Sequence, residues 1–286
     1  MFGFIAEHRS RFGVEQMCRI FSVSRSGFYN YLNRGRSRRD KQNKILLEQI
    51  RRIHQQSGHT YGSPRMTDAL HQIGFGCNHK RVARLMRVNA IRSKRKRKFK
   101  VTTRSKHNRT VAADLVNRDF SAKATDCLWT SDITYIRTRQ GWLYLTVFLD
   151  VYSRRIVGWA MGRRIDDDLV IDAFNQAFIH RRPASGLIVH SDRGSQYCSR
   201  SFKERLKTNG CEQSMGKSGS CYDNAITESF FATLKTELVR DQDYHTRNEA
   251  RRSIFKFIEM FYNQTRIHSA LGGCSPVQFE KLLLEA

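Results

Sequence analysis

From Leu128 onward the chain changes texture in a fixed order, and that order limits its fold more than any other feature. LWTSDITYI (128–136), GWLYLTVFLDVYS (141–153) and RRIVGWAMG (154–162) are rich in β-branched and aromatic residues and separated by short turns. They predict an antiparallel three-stranded meander. DDDLVIDAFNQAFIHR (166–181) then has the spacing of an amphipathic helix, GLIVHSD (186–192) that of a short buried strand, SRSFKERLKTNG (199–210) a helix ended by Gly210 and CEQSM (211–215) another strand. SGSCYDNAITESFFATLKTEL (218–238) reads as a third helix, and RNEARRSIFKFIEMFYNQTRIHSALGGCSPVQF (247–279) as a helix followed by an irregular tail. Three strands, helix, strand, helix, strand, helix is an α/β order around a mixed central sheet.

The charge lies elsewhere. Residues 1–110 carry 27 Lys and Arg against 5 Asp and Glu, whereas 111–286 carry 24 against 21. A basic excess so confined fits a polyanion held through phosphate contacts and counterion release rather than a uniformly solubilised surface. No apolar run reaches the roughly 18 residues of a membrane span, and MFGFIAEHRSRFG is no signal peptide. These features point to a soluble protein of the cytoplasm. Seven scattered cysteines without a CxxC pair suit small buried hydrophobes in a reducing compartment rather than a zinc site.

Within the basic part, Val14–Phe21, a turn at Ser22–Ser24 and Arg25–Leu32 read as helix, turn, helix. Ser24 is the expected N-cap, and Met17, Ile20, Val23, Phe28, Tyr31 and Leu32 the expected apolar contacts. A basic helical connector, 38–56, leads to a second pair. There Pro64 opens one helix, Gly74 and Gly76 close it, and Asn78 caps the next, with Val82, Leu85 and Met86 on its apolar side. Arg81, Arg84 and Arg87 then line a polar face suited to DNA phosphates. The stretch 92–110, which includes Arg95, Lys96, Arg97 and Lys98, is too charged to pack and reads as a linker that orders on nucleic acid. The expected units are therefore 1–56, 57–100, a basic linker 101–122, an α/β core 123–245 and a C-terminal helix and tail 246–286.

Three carboxylates are candidates for chemistry. Asp132 lies in a strand whose alternation places Thr130, Asp132 and Thr134 on one side and Trp129, Ile133 and Tyr135 on the other. Asp192 ends a strand, where open α/β sheets expose functional groups. Glu228 sits in the middle of the third helix. Carboxylates so placed are what a two-metal phosphoryl-transfer site needs, since Mg2+ takes hard oxygen ligands. Spacing alone decides little: the 35 residues between Asp192 and Glu228 also separate Asp168 from Glu204 and Asp223 from Glu259. Asp168 opens a helix, and Asp223 completes a capping box with Ser220. At about 100° per residue, Ile226, Phe230 and Leu234 form an apolar stripe opposite Glu228, with Asn224 and Lys235 on its own side. Asp150 suits a turn or an ion pair with Arg154 or Arg155, and His190 and His268 suit structural hydrogen bonding.

WTSDITYI, YLTVFLDVYSRRIVGWAM, HSDRGSQY, SMGKSGSCYDNAITESFFATLKTEL and YNQTRIHSALGGCSP together resemble the DDE transposases of bacterial insertion sequences. The likeness is to the IS-three group, in the OrfB-type product related to retroviral integrases, over about residues 58–280. It implies an RNase H-like core, preceded by all-α helix-turn-helix DNA-binding modules, in which Asp132, Asp192 and Glu228 hold two Mg2+ ions, with Mn2+ able to substitute. It assigns Lys235 to the transposon end and implies terminal inverted repeats and target DNA as partners. A homo-oligomer on DNA, and an OrfA-type partner or a frameshifted fusion with one, are further expectations. Two other readings of the same residues are an RNase H-like nuclease without strand joining and a non-catalytic DNA-binding regulator.

Overall fold

The computed structural model describes residues 1–33, 37–94, 110–117, 119–216 and 225–285. Its centre is a five-stranded sheet in the order β3-β2-β1-β4-β5. The meander consists of β1 (Leu128–Thr138), β2 (Gly141–Asp150) and β3 (Ile156–Gly162), paired antiparallel; β4 (Ile188–Ser191) and β5 (Glu212–Met215) add in parallel on the other side of β1. The second and third runs are shorter than the sequence suggests. Asp150 ends β2 because its carboxylate accepts from the Ser153 N–H and hydroxyl, closing a turn.

Alternation along β2 sorts the core into two layers. Leu143, Leu145, Val147 and Leu149 face α9 (Ala225–Glu237) and α10 (Arg247–Phe255), and Phe148 faces the other way, onto α7 (Asp167–Arg181) and α8 (Arg200–Thr208). On the α7 side Trp129, Phe148, Phe174 and Phe202 meet edge to face or tilted. The helix can approach β3 closely because residue 158 is Gly: a Cβ there would lie 2.4 Å from the Ala173 carbonyl oxygen. Asp166 caps α7 by accepting from the Leu169 N–H.

Beyond α10 the helix continues with π geometry through Lys256–Tyr262. The expected irregular tail instead ends in a helix, α11 (Pro276–Glu285). Glu280 fastens it by pairing with Arg155 and Arg181, and Arg181 in turn holds Asp126.

The basic part forms six further helices among the described residues. A small trio, α1 (Phe2–His8), α2 (Val14–Ile20) and α3 (Arg25–Asn33), closes on Ile5, Met17, Cys18 and Phe28. Ser24 caps α3 as expected, accepting from the Gly27 N–H; Ile20 points to solvent, Tyr31 is partly exposed with its ring 5.5 Å from that of Phe2, and α1 adds to the expected pair. The second group is α4 (Arg38–Gln56), α5 (Ser63–Gln72) and α6 (His79–Val88), packed around Ile50, Met66, Leu70, Val82, Leu85 and Met86. Asn78 caps α6 through the Lys80 N–H. Cys18, Cys198 and Cys211 are buried hydrophobes, whereas Cys127 is exposed.

Candidate active site

β1 and β4 run side by side from the pair Leu128 and Ile188 to the pair Ser131 and Ser191, and there they part. Asp132 and Asp192 are each the next residue, so the two carboxylates stand on either arm of the fork. Each is steadied by its own backbone. Asp132 Oδ1 accepts from the Ile133 N–H at 2.7 Å, and Asp192 Oδ1 accepts from the Gly194 N–H at 2.9 Å. Beneath the fork, the buried Tyr197 hydroxyl bonds Ser131 Oγ at 2.8 Å, locking the loop after Asp192 onto β1.

Helix α9 is attached to the same strand by one buried hydrogen bond, from Thr227 Oγ1 to Thr130 Oγ1 at 2.7 Å. Asp132 lies two residues along β1 from Thr130, on the same face. Glu228 follows Thr227, and so projects from α9 near Asp132. Glu228 is exposed and falls in the first turn of the described part of α9 rather than at its middle. Phe230 and Leu234 of the expected stripe are buried and Ile226 is half-buried; Phe231, on the side of Glu228, is buried as well.

Electrostatics ties the three together. Burial, then Asp192, then Glu228 push the Asp132 carboxyl up to about 8, partly offset by the Ile133 N–H and by Lys235. Partial desolvation where α9 meets the fork raises Glu228 as well. Lys235, half-buried on α9, lies with its ammonium 5.2 Å from the centre of the Tyr135 ring and feels the Asp132 charge. Among the described residues, no three His, Cys, Asp or Glu side chains stand close enough to hold an ion as they are. The donor set nevertheless suits a hard divalent cation: three carboxylates, with negative charge crowded enough to favour a bound proton at Asp132.

The other candidates fall away from the fork. Asp150 accepts from the Asp126 and Ser153 N–H groups and serves the turn, without an ion pair to Arg154 or Arg155. His190 is buried, with Nδ1 2.9 Å from Ser214 Oγ. His268 packs edge-on against Tyr262 and is held neutral, its pKa pushed down to about 3 by burial, then by Arg266 and Arg65. Arg84 and Arg87 are exposed on α6, but Arg81 is half-buried and donates from Nε to Asn43 Oδ1 at 2.8 Å. Asn224, Ser220, Asp223, Arg95, Lys96, Arg97 and Lys98 lie outside the described residues. The Thr130–Thr227 and Ser131–Tyr197 bonds had no local signal in the sequence, since each joins residues more than sixty positions apart.

A meander continued by two parallel strands, with acidic residues where the first and fourth strands part, defines the class: an integrase-type polynucleotidyl transferase core. Residues 122–221 and 228–284 each match a family described as integrase core domain, and residues 41–99 match one described as HTH-like domain. The chain is 42% identical over 265 residues, 93% of its length and 97% of the relative's, to the "Insertion element IS600 uncharacterized 31 kDa protein" of Shigella sonnei. It is 39% identical over 284 residues, 97% of each chain, to "Transposase InsF for insertion sequence IS3A" of Escherichia coli strain K12. The chain belongs to this IS3 family of insertion-sequence transposases. Among solved structures, the HTLV-2 integrase catalytic core domain in complex with magnesium is 16% identical at TM-score 0.44, covering 56% of this chain and 99% of that one. The catalytic core domain of BIV integrase is 20% identical at TM-score 0.42, covering 56% and 98%. These likenesses are distant, and the fold assignment rests on the strand order and the family matches. No described helix is long and apolar enough to cross a membrane.

Proposed function

We propose that this transposase binds the ends of its insertion sequence and cuts and joins DNA strands with Asp132, Asp192 and Glu228 as the ligands of two Mg2+ ions. The supporting observation is the fork: Asp132 and Asp192 at the parting of β1 and β4, with the Glu228 charge acting on Asp132 from α9. When bound, the ions supply charge stabilisation for an in-line displacement at phosphorus, with water or a 3′-hydroxyl as nucleophile.

The chain's own residues set the geometry. The Ile133 and Gly194 N–H groups orient the Asp132 and Asp192 carboxylates, and the Thr130–Thr227 bond fixes how far α9 stands from β1. Lys235, held over Tyr135, presents a cation to a phosphate of the transposon end, and Arg84 and Arg87 offer two more along α6.

The test is strand cleavage and joining of a labelled terminal-repeat duplex with Mg2+. Asp132→Asn, Asp192→Asn and Glu228→Gln each abolish both steps and leave duplex binding near wild type; full activity in all three sinks the triad. Joining of the labelled strand into plasmid separates a transposase from a nuclease that only hydrolyses. A second readout is independent of catalysis. Mg2+ raises the melting temperature of the wild-type protein, by about 2.7 kcal/mol of stability at a hundredfold excess over Kd, and does so far less in Asp132→Asn.

A further inference from the structure

The charge of the catalytic half is nearly balanced overall, yet it is not evenly spread. At the end of the sheet remote from the fork, a cavity of about 510 Å3 opens between the β1–β2 turn, the end of β3 and the start of α10. Gln140, Arg163, Thr246, Arg247, Arg251 and Arg252 line it. From Asp132 to the end of β1 is six residues, about 20 Å at about 3.3 Å per residue, so this cavity is no part of the carboxylate site.

Four guanidinium groups converge there with little to neutralise them. Arg247 is tied to the backbone, donating from Nε to the Trp142 carbonyl at 3.0 Å, while its N–H meets Gln140 Oε1 at 3.1 Å. The side chains of Arg163, Arg251 and Arg252 have no ion pair or hydrogen bond among the described residues. The nearby acids are engaged elsewhere: Asp243 pairs with Arg139, and Glu249 accepts from the His245 N–H. The arginines also disfavour one another's charge; Arg251 is pushed down by burial first, then by Arg163 and Arg247. A concave wall of like charges needs an anion with several charged oxygens to relieve it.

We infer that this cavity is a second DNA-backbone dock, gripping consecutive phosphates of a duplex segment away from the strand being cut. The inference goes beyond the carboxylate chemistry and rests on the transposase reading only in taking duplex DNA as the polyanion. Guanidinium forks bind phosphate oxygens bidentately and read no sequence, so the dock holds DNA of any sequence. Each phosphate contact releases counterions, giving the dock a measurable salt signature.

The experiment measures binding of the full chain to a duplex of arbitrary sequence across a salt series, with folding checked by melting temperature. Replacing two exposed arginines together, Arg163→Ala with Arg252→Ala, lowers the slope of log K against log salt by about 2 and weakens binding at least tenfold at low salt. Arg163→Lys with Arg252→Lys keeps the slope and loses only part of the affinity. The control pair Arg200→Ala with Arg205→Ala, on α8 across the sheet, removes the same net charge and moves the slope less than half as far. An unchanged slope in the Arg163/Arg252 pair, or an equal change in the α8 pair, overturns the inference. Asp132→Asn protein keeps the wild-type slope, so a failure of the metal-site reading shows as cleavage retained in that variant with binding unaltered, and a failure of the dock shows in the slope alone.

Discussion

Two groups of three helices precede the catalytic core, and they are unlike in how they are held. The first, α1 to α3, closes on Ile5, Met17, Cys18 and Phe28, and all its hydrogen bonds and ion pairs among the described residues stay within residues 1–33. The second, α4 to α6, shares its core with Ile267 of the C-terminal part. It is joined further by Arg65 to Glu237, by Lys94 to Asp241 and the Glu237 carbonyl, by Gln72 to the Gly273 carbonyl, and by Tyr61, which donates to the Thr265 carbonyl and accepts from the Ile267 N–H. The difference teaches that a helix pair's own pattern does not say what it is part of. One group is a small body with its own core, and the other is a wall of the catalytic body, with α5 joined directly to α9 by the pair of Arg65 and Glu237.

The strongest way to break that contrast is at Glu237. Its carboxylate is buried between Arg266 at 2.7 Å and Arg65 at 3.4 Å, and Arg266 is itself only 2% exposed. Glu237→Ala leaves the buried Arg266 guanidinium facing the half-buried Arg65 with no carboxylate between them, a change that destabilises by about 3 kcal/mol. The measurement is denaturant unfolding of the main transition, together with limited proteolysis of the α4–α6 segment. A loss below about 1 kcal/mol would mean that the weld is not in Glu237.

Phe28→Ala tests the other side. It removes a fully buried ring from a core of few residues, a loss of about 3 kcal/mol, enough to unfold a trio that small. The effect stays local: hydrogen exchange quickens in residues 1–33, while exchange in β1 and α9 is unchanged. Smaller again is Tyr61→Phe. It deletes the hydroxyl that bridges the second group to Thr265 and Ile267, leaving a buried N–H unsatisfied, and lowers the main transition by about 1 to 2 kcal/mol.

How far these features could be read beforehand follows from whether they are local. The sheet was legible because period-two alternation and turn residues are written within each strand, as was the Asn78 cap, two residues from the N–H it satisfies. The last helix was not, because PVQFEKLLLE keeps Leu282, Leu283 and Leu284 exposed and is fastened by Glu280 to arginines a hundred residues away. Asp132 and Asp192 were recognisable as strand carboxylates, but their neighbourhood is made by the parallel pairing of β1 with β4. The weld at Glu237 and the arginine cavity were hidden for the same reason. In the cavity's case a net of nearly zero over the catalytic half concealed a cluster drawn from residues 163 and 247–252.

The weld also carries a pH signature, smaller than the substitutions above. His268 lies against Arg266 and Tyr262, and its folded pKa is pushed down to about 3 from the 6.5 of an unhindered imidazole. The unfolded chain therefore binds a proton that the folded one refuses, so stability from this group is complete above about pH 6.5 and is lost as the pH falls from there toward 3. The slope is at most about 1.4 kcal/mol per pH unit for a single group. Replacing His268 with Asn keeps a polar side chain and removes the titration, so the unfolding midpoint of the variant falls less steeply between pH 6.5 and 5 than that of the wild type. Because His268 sits beside Arg266, the acid loss appears in the transition that Glu237→Ala weakens. If the two profiles run parallel, the neutral imidazole contributes nothing to the weld, and the burial of Arg266 against Glu237 accounts for it alone.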